Sequence, residues 1–171
     1  NTIIIFAGDN GLAVGQHGLM GKQNVYEHSV GVPLMIKAAA QHTGKKTADL
    51  CYLIDVFPTL CDMLQLPVPQ SVDGISLLSS LDGKEPVRDY LYYSYMDNQR
   101  GISDGTWKLI EYHVNGKRTT QLFNLKNDPW ERNDLSGQKK YEKTIQRLRE
   151  KMAEEQKRTN DTSVFWNNFS Y

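Results

Sequence analysis

The 171-residue sequence contains no apolar run near the roughly 20 residues that a membrane-spanning helix needs. It has no excess of either charge, with Lys plus Arg and Asp plus Glu both at 20. That balance gives no footprint for nucleic acid and none for an anionic membrane surface. Cysteine is scarce. Cys51 and Cys61 are the only two, and their apolar, helix-like context reads as small core residues rather than a disulfide or a metal pair. Internal repeats and low-complexity segments are absent. So is an initiator methionine: the chain starts at Asn1, immediately before an apolar strand, and reads as the C-terminal portion of a longer polypeptide.

What is present is organised around Thr2–Pro33. Ile3-Ile4-Ile5-Phe6 is short, uncharged and β-branched, as expected of a strand buried on both faces of a sheet. It stops at Ala7-Gly8, and Asp9-Asn10-Gly11 follows. Oxygen-bearing side chains at the carboxyl end of a buried strand stand where open α/β sheets place ligands. A carboxylate beside an amide oxygen suits a hard divalent cation. His17 and Lys22 come next, among Gly15, Gly18 and Gly21, which let backbone approach a bound group closely. Alone, Asp-Asn-Gly is most often a turn, and a single His or Lys is structural or solvated. Together, a metal edge, an imidazole and an ammonium suit a charged oxyanion.

Gly8–Pro33 closely resembles the second metal-binding segment of the sulfatase family, in the alkaline phosphatase-like superfamily. The resemblance continues through Leu53–Leu60 (L-x-D-[IV]-x-P-T-[LI]), Asp73–Leu77 (D-G-x-S-L), Gly105–Ile110 (G-x-W-K-[LY]) and Leu122–Glu131 (L-[FY]-[DN]-L-x-x-D-P-x-E). The sequence departs from the family pattern at Gly31, where Arg commonly precedes Val-Pro. The implied fold class is α/β: the C-terminal part of an alkaline phosphatase-like parallel-sheet sandwich, plus a small four-stranded antiparallel sheet with a packed helix. The expected organisation is 1–86 as the end of the catalytic α/β domain and 87–171 as a C-terminal α+β subdomain.

Read in order, Pro33–Lys37 is a further buried strand and Ala38–Lys46 a surface loop. The spacing of Leu50, Leu53, Ile54 and Phe57 predicts helix from about Ala48 to Gln65, ended by Leu66-Pro67. Asp55 reads as an N-terminal cap before Pro58 rather than as a metal ligand. Ser71–Glu85 is turn-rich. Four strands follow: Asp89–Tyr95, Gln99–Ser103, Trp107–Tyr112 and Thr119–Asn124, with Asp104-Gly105 and Asn115-Gly116 as hairpin turns. Strand propensity explains the tyrosines of the first, without a carbohydrate-stacking face. Asn127–Glu131 is a corner without assigned chemistry. Lys139–Lys157 is a charged helix with a stripe at Ile145, Leu148 and Met152. The tail aromatics, Val164 to Tyr171, are expected to pack back on a neighbour. Its two glycosylation sequons, at Asn160 and Asn168, are weak evidence of secretion.

The resemblance implies a sulfuric ester hydrolase with a formylglycine nucleophile, made from Cys or Ser in a [CS]-x-P-S-R motif. Neither cysteine lies in such a motif here, and no Ser-x-Pro-Ser-Arg occurs. What remains is a half-site. Asp9 and Asn10 match a pair of metal ligands, with Ca²⁺ the expected cation. Lys22 matches the lysine that contacts sulfate oxygens, and His17 a histidine near the substrate. Arg100 is a candidate specificity residue; the plainer reading is a solvated strand residue. The expected partner is a sulfate ester, including sulfated glycans, with no nucleic acid and no membrane. The chain would need the N-terminal half of the catalytic domain and be inactive alone. A periplasmic, secreted or lysosomal setting is expected. The alternatives are a phosphonate or phosphodiester hydrolase of the same superfamily and a non-catalytic module.

Overall fold

A computed structural model describes residues 2–38, 44 and 46–168, the last by its backbone only. The loop expected at 38–46 lies largely outside the described residues, as do Phe169 and Tyr171. The elements in chain order are β1 (Ile4–Ala7), β2 (Ala13–Val14), β3 (Met20–Gly21), α1 (Glu27–Val30), β4 (Leu34–Lys37), α2 (Val56–Met63), α3 (Leu78–Leu81), β5 (Leu91–Tyr95), β6 (Gln99–Ser103), β7 (Trp107–Val114), β8 (Lys117–Asn124) and α4 (Glu142–Arg158). They fall into two compact units, Asn1–Asp9 with Pro33–Leu91 and Asn10–Val32 with Tyr92–Tyr171. No described helix is long and apolar enough to cross a membrane.

In the first unit β1 and β4 form where the apolar runs predict strands. They pair antiparallel, Ile4 opposite Lys37 and Ala7 opposite Leu34. Burial on both faces is not met: Ile4, Phe6 and Met35 are 52%, 57% and 59% exposed. The physical reason is that among the described residues no third strand joins this ribbon, so its apolar faces stay uncovered.

The predicted helix is also shorter than its pattern. Residues 46–52 are irregular, a 3-10 turn spans Leu53–Asp55, and only Val56–Met63 is α-helical. Asp55 sets that start. Its Oδ2 accepts the Tyr52 N–H at 2.8 Å and its Oδ1 the Ile75 N–H at 2.8 Å. Arg88 donates to both oxygens, at 3.1 Å from Nε and 2.5 Å from the terminal nitrogen. Asp55 is fully buried, and these donors occupy its carboxylate. It stands at the N-terminal cap position of α2 as expected but makes no side-chain cap bond there; its carboxylate instead closes the preceding 3-10 turn back onto Tyr52. Thr59 Oγ1 donates to the Asp55 carbonyl and accepts the Leu77 N–H at 2.9 Å, tying α2 to the turn-rich passage. The helix closes before Pro67. Gln65 turns left-handed (φ 56°), and the Leu66 N–H reaches back to the Cys61 carbonyl at 2.8 Å. Cys61 is buried, Cys51 half-buried, and neither is in a disulfide.

In the second unit β5-β6-β7-β8 is a four-stranded meander, as the alternation and turns predict. Val114 pairs with Lys117 across Asn115-Gly116, both at positive φ (52° and 73°), the two-residue geometry that suits strand twist. α4 lies against β6 and β7 and buries the predicted stripe, Ile145, Leu148 and Met152. Tyr93, Tyr95 and Tyr112 pack on a core of Val25, Tyr26, Ile110 and Phe123, so the tyrosine run serves the sheet.

Of the tail, Phe165 is fully buried while Val164 is exposed. The anchor is Asp161. It accepts Arg100 Nε at 2.6 Å, Tyr92 Oη at 2.6 Å, Trp166 Nε1 at 3.1 Å and the Ser163 N–H at 3.1 Å. Burial alone would raise the Asp161 carboxyl, but these donors outweigh it and hold it well below its ordinary 3.8. The folded value lies under the unfolded one. Its contribution is therefore complete above about pH 4 and lost as pH falls through the folded value. Asp161→Asn is expected to cost roughly 1.5–3 kcal/mol at neutral pH, the range for hydrogen bonds to a charged group, and to flatten acid unfolding. Denaturant midpoints at neutral and acid pH, read for the two proteins, check this.

Candidate functional site

The glycine-spaced stretch folds as a small hairpin. β2 pairs with β3, Ala13 opposite Gly21, and Gly15 N–H bonds the Leu19 carbonyl at 2.9 Å across the loop between them. Gly15, Gly18 and Gly21 are at φ 115°, 69° and 102°, conformations in which a side chain would be strained. His17 sits among them at φ 53°, a left-handed position without glycine. Its ring stacks on Tyr26, with centroids 3.9 Å apart and planes 6° from parallel. Its Nε2 is 3.2 Å from the Trp130 carbonyl oxygen. A carbonyl can only accept, so Nε2 carries the hydrogen and donates to it.

The support beneath is hydrogen-bonded and packed. Tyr26 Oη donates to Gln121 Oε1 at 2.7 Å, and its ring meets Phe123 edge-on at 6.0 Å. Behind it, Lys108 is fully buried. Its Nζ lies 2.8 Å from Glu27 Oε1 and 3.0 Å from Glu131 Oε1, the latter an ion pair whose geometry falls short of a hydrogen bond. Glu131 Oε2 accepts the Glu27 N–H at 2.6 Å. Burial raises the Glu131 carboxyl above its ordinary value, with Lys108 opposing. The corner Asn127–Glu131, assigned no chemistry from sequence, thus braces the His17 hairpin from more than a hundred residues away.

Two glycines are explained by crowding. A Cβ at Gly11 would lie 2.0 Å from the His28 carbonyl oxygen, against which the Gly11 N–H bonds Ser29 at 2.9 Å. A Cβ at Gly31 would lie 2.9 Å from both the Glu27 carbonyl oxygen and Glu27 Oε2, so Glu27 fills the space beside the position where the family pattern has Arg.

His28 completes a group of three rings, 5.5 Å from His17 and 5.7 Å from Tyr26. Burial, then the charges of His17 and Lys108, lower its pKa below the ordinary value. Its Nε2 is buried without a hydrogen bond. Neither His28 nor Trp130 was a candidate from sequence: Trp130 stood in a motif read as a corner, and His28 carried no local signal. Gln16, His17, His28, Pro129, Trp130, Glu131 and Arg132 line a recess of about 580 Å³.

The other predicted residues are placed as follows. Lys22, just after β3, is exposed, and among the described residues its ammonium makes no ion pair. Asp9 is exposed and Asn10 half-buried, consecutive where the chain passes from one unit to the other. No group of three or more His, Cys, Asp or Glu able to hold a metal occurs among the described residues. Asp9 and Asn10 suit a hard cation by donor type, yet Ca²⁺ takes 6–8 oxygens, so they fit as part of a shell and not as a whole one. Arg100 is not the solvated strand residue of the plain reading. It is 2% exposed, its guanidinium held by Asp161 and by the Met96 and Gln99 carbonyls at 2.6 and 2.7 Å, over the Phe165 ring. It shares none of these partners with His17.

Residues 15–158 match the family described as N-sulphoglucosamine sulphohydrolase, C-terminal. The chain belongs to the sulfatase family. Among similar sulfatases, an N-acetylglucosamine-6-O-sulfatase from Bacteroides thetaiotaomicron is 30% identical over 94% of this chain and 31% of its own length. An arylsulfatase from Clostridium perfringens is 29% identical over 91% of this chain and 34% of its own. A solved structure described as a complex with its substrate D-glucosamine-2-N,6-O-disulfate superposes with TM-score 0.77 at 28% identity, over 95% of this chain and 35% of that one. The phosphonate monoester hydrolase of Agrobacterium radiobacter does so with TM-score 0.73 at 25% identity, over 89% and 34%. The chain spans about a third of the length of these relatives. The α/β class read from sequence is that of the sulfatase neighbours.

Proposed function

We propose that this chain supplies the C-terminal half of a sulfuric ester hydrolase site, in which Lys22 and His17 face the sulfate group. The family match over 15–158 carries the reading. It is supported by an exposed lysine whose ammonium makes no ion pair among the described residues, and by a histidine held by a ring stack and a carbonyl beside an open recess. Sulfate-ester cleavage needs neutralisation of the sulfate oxygens and a proton for the leaving oxygen. A formylglycine hydrate and a divalent cation would supply the nucleophile and the polarisation of the ester when bound. Asp9 and Asn10 would give part of the cation's oxygen shell, the rest coming from elsewhere in the intact protein. The Lys22 ammonium offers a positive charge to the sulfate oxygens. His17, with Nε2–H fixed on Trp130, offers Nδ1 as its proton-handling atom.

A second reading has a specific observation behind it: the phosphonate monoester hydrolase likeness. The test is hydrolysis of 4-nitrophenyl sulfate and of a 4-nitrophenyl phosphonate monoester by the intact protein that carries this chain. A higher kcat/KM for the sulfate is expected. A clear preference for the phosphonate would replace the sulfatase reading, and no turnover of either would leave a non-catalytic module. The 171 residues alone are expected to turn over neither substrate, since no nucleophile motif lies within them.

A further inference from the structure

We infer that Lys108 is a positioning residue for the His17 imidazole. Its ammonium bridges Glu27 and Glu131, at 2.8 and 3.0 Å. Each carboxylate belongs to the chain neighbour of a residue that holds the ring: Tyr26, on which it stacks, and Trp130, whose carbonyl it meets. The kinetic consequence rests on the sulfate-ester reading, in which His17 handles a proton; the positioning itself can be read without turnover.

The linkage is short on both sides. Glu27 opens α1 directly after Tyr26. Glu131 directly follows Trp130, and its Oε2 accepts the Glu27 N–H at 2.6 Å, so the two holders are tied to each other as well as to Lys108. Glu131 is left-handed at φ 54°, a conformation disfavoured for a residue with a side chain. That torsion turns the peptide plane between Trp130 and Glu131, and with it the carbonyl that accepts from His17 Nε2. Anchorage of the Glu131 side chain therefore sets the direction of that carbonyl. His17 is left-handed too, at φ 53°. Two such residues joined through one carbonyl persist only where their surroundings hold them.

Stability alone gives Lys108 no reason to be an ion. Its side chain is 0% exposed, and a buried ion pair adds little over apolar side chains of the same size. What it adds is a single arrangement, because an ammonium between two carboxylates loses far more from a slip than a methyl group does. The Tyr93 ring, 5.0 Å from Nζ, closes a further side. The same strand offers a comparison. Lys108, Ile110 and Tyr112 alternate onto the face of β7 that packs with Tyr26. Glu111, fully buried on the other face, takes Arg149 of α4 at 2.8 Å. That pair joins the sheet to α4, on the side away from Tyr26.

The experiment replaces Lys108 with methionine in the intact protein. It reads hydrolysis of phenyl sulfate, whose poor leaving oxygen makes turnover depend on a proton, and the His17 ring protons by NMR. In Lys108→Met kcat is expected to fall by about 10–100-fold, the scale for a misplaced catalytic group, with KM little changed. Stacked 3.9 Å from the Tyr26 ring, the His17 protons carry an upfield ring-current shift, expected to shrink toward that of a free histidine. Adding Glu131→Gln to Lys108→Met is expected to regain part of both, since it removes a stranded carboxylate and keeps an acceptor for the Glu27 N–H. Arg149→Met, which strands Glu111 instead, is expected to lower stability while kcat and the ring shift stay as in the wild type. Equal effects of Lys108→Met and Arg149→Met, or a fall in kcat with the ring shift kept, would overturn the assignment. If Lys108→Met does not fold, Glu131→Ala, which leaves Lys108 paired with Glu27, carries the test: a reduced ring shift sustains the positioning and a wild-type shift rejects it. If the wild type hydrolyses no sulfate ester, the sulfatase reading fails by itself, and the ring shift in Lys108→Met decides the positioning in the same sense.

Discussion

Replacing Asp55 with alanine is expected to destabilise the unit of residues 1–9 and 33–91 by about 3–5 kcal/mol, the loss typical when one member of a buried ion pair is removed. Two consequences add. Arg88 keeps a charge in a site where its side chain is 7% exposed, with the Tyr52 ring 4.7 Å beneath it. The Tyr52 and Ile75 N–H groups lose their acceptor, and with the first of these the 3-10 turn ahead of α2 loses its capping bond. Urea unfolding measures the total, and reaction of the buried Cys61 thiol with a maleimide reports α2 locally. Asp55→Asn, which keeps one acceptor, is expected to lose less. Asp55→Ala combined with Arg88→Met is expected to recover part of the loss, because the stranded charge goes too. A cost below 1 kcal/mol for Asp55→Ala would mean that the pair is solvated and that the turn stands without it.

Asp55 also marks how far the sequence could be read. One carboxylate just ahead of a proline-bearing helix suggests a cap on that helix, but not that its side chain turns back to close the 3-10 turn on Tyr52. Arg88, thirty-three positions on, gave no local signal of being its partner. The same division runs through the molecule. The Asn115-Gly116 hairpin and the Ile145, Leu148, Met152 stripe were legible because turn chemistry and helical period act within a few residues. The exposure of Ile4, Phe6 and Met35 was not, because an apolar run records that a face is to be covered and says nothing of what covers it. The helix expected from residue 48 fails at Leu50 for a related reason: periodicity cannot weigh a competing cap at Tyr52. At the site, Gly15, Gly18 and Gly21 were legible as places where backbone can come close to a bound group; their positive φ is a finding of the structure. The left-handed His17, the Trp130 carbonyl that fixes it and the Lys108 pair beneath are tertiary facts. Arg100 went furthest astray. A lone arginine on a polar strand segment looks solvated, and only the distant Asp161 draws it inside.

Lys22→Ala in the intact protein is expected to lower kcat for a sulfate ester by a factor of about 10²–10³, equivalent to roughly 2.7–4 kcal/mol, the loss on removing one donor aimed at developing negative charge. The structure separates this from a folding effect. Lys22 is exposed, its ammonium pairs with no described residue, and its backbone N–H bonds the Gln23 side chain at 3.2 Å, which alanine preserves. Stability should therefore change by no more than about 0.5 kcal/mol, as for surface substitutions away from special features. The fall should lie in kcat more than in KM, because charge on the sulfate and leaving oxygens grows toward the transition state. Lys22→Arg keeps the charge in a different shape and should regain part of the rate. The salt dependence of kcat/KM should also weaken in Lys22→Ala, since a solvent-facing cation attracts an anionic ester over about a Debye length, ~8 Å at physiological ionic strength. Wild-type kcat in the alanine variant would remove Lys22 from the site. A rise in KM with kcat unchanged would make it a docking charge that holds substrate and transition state equally.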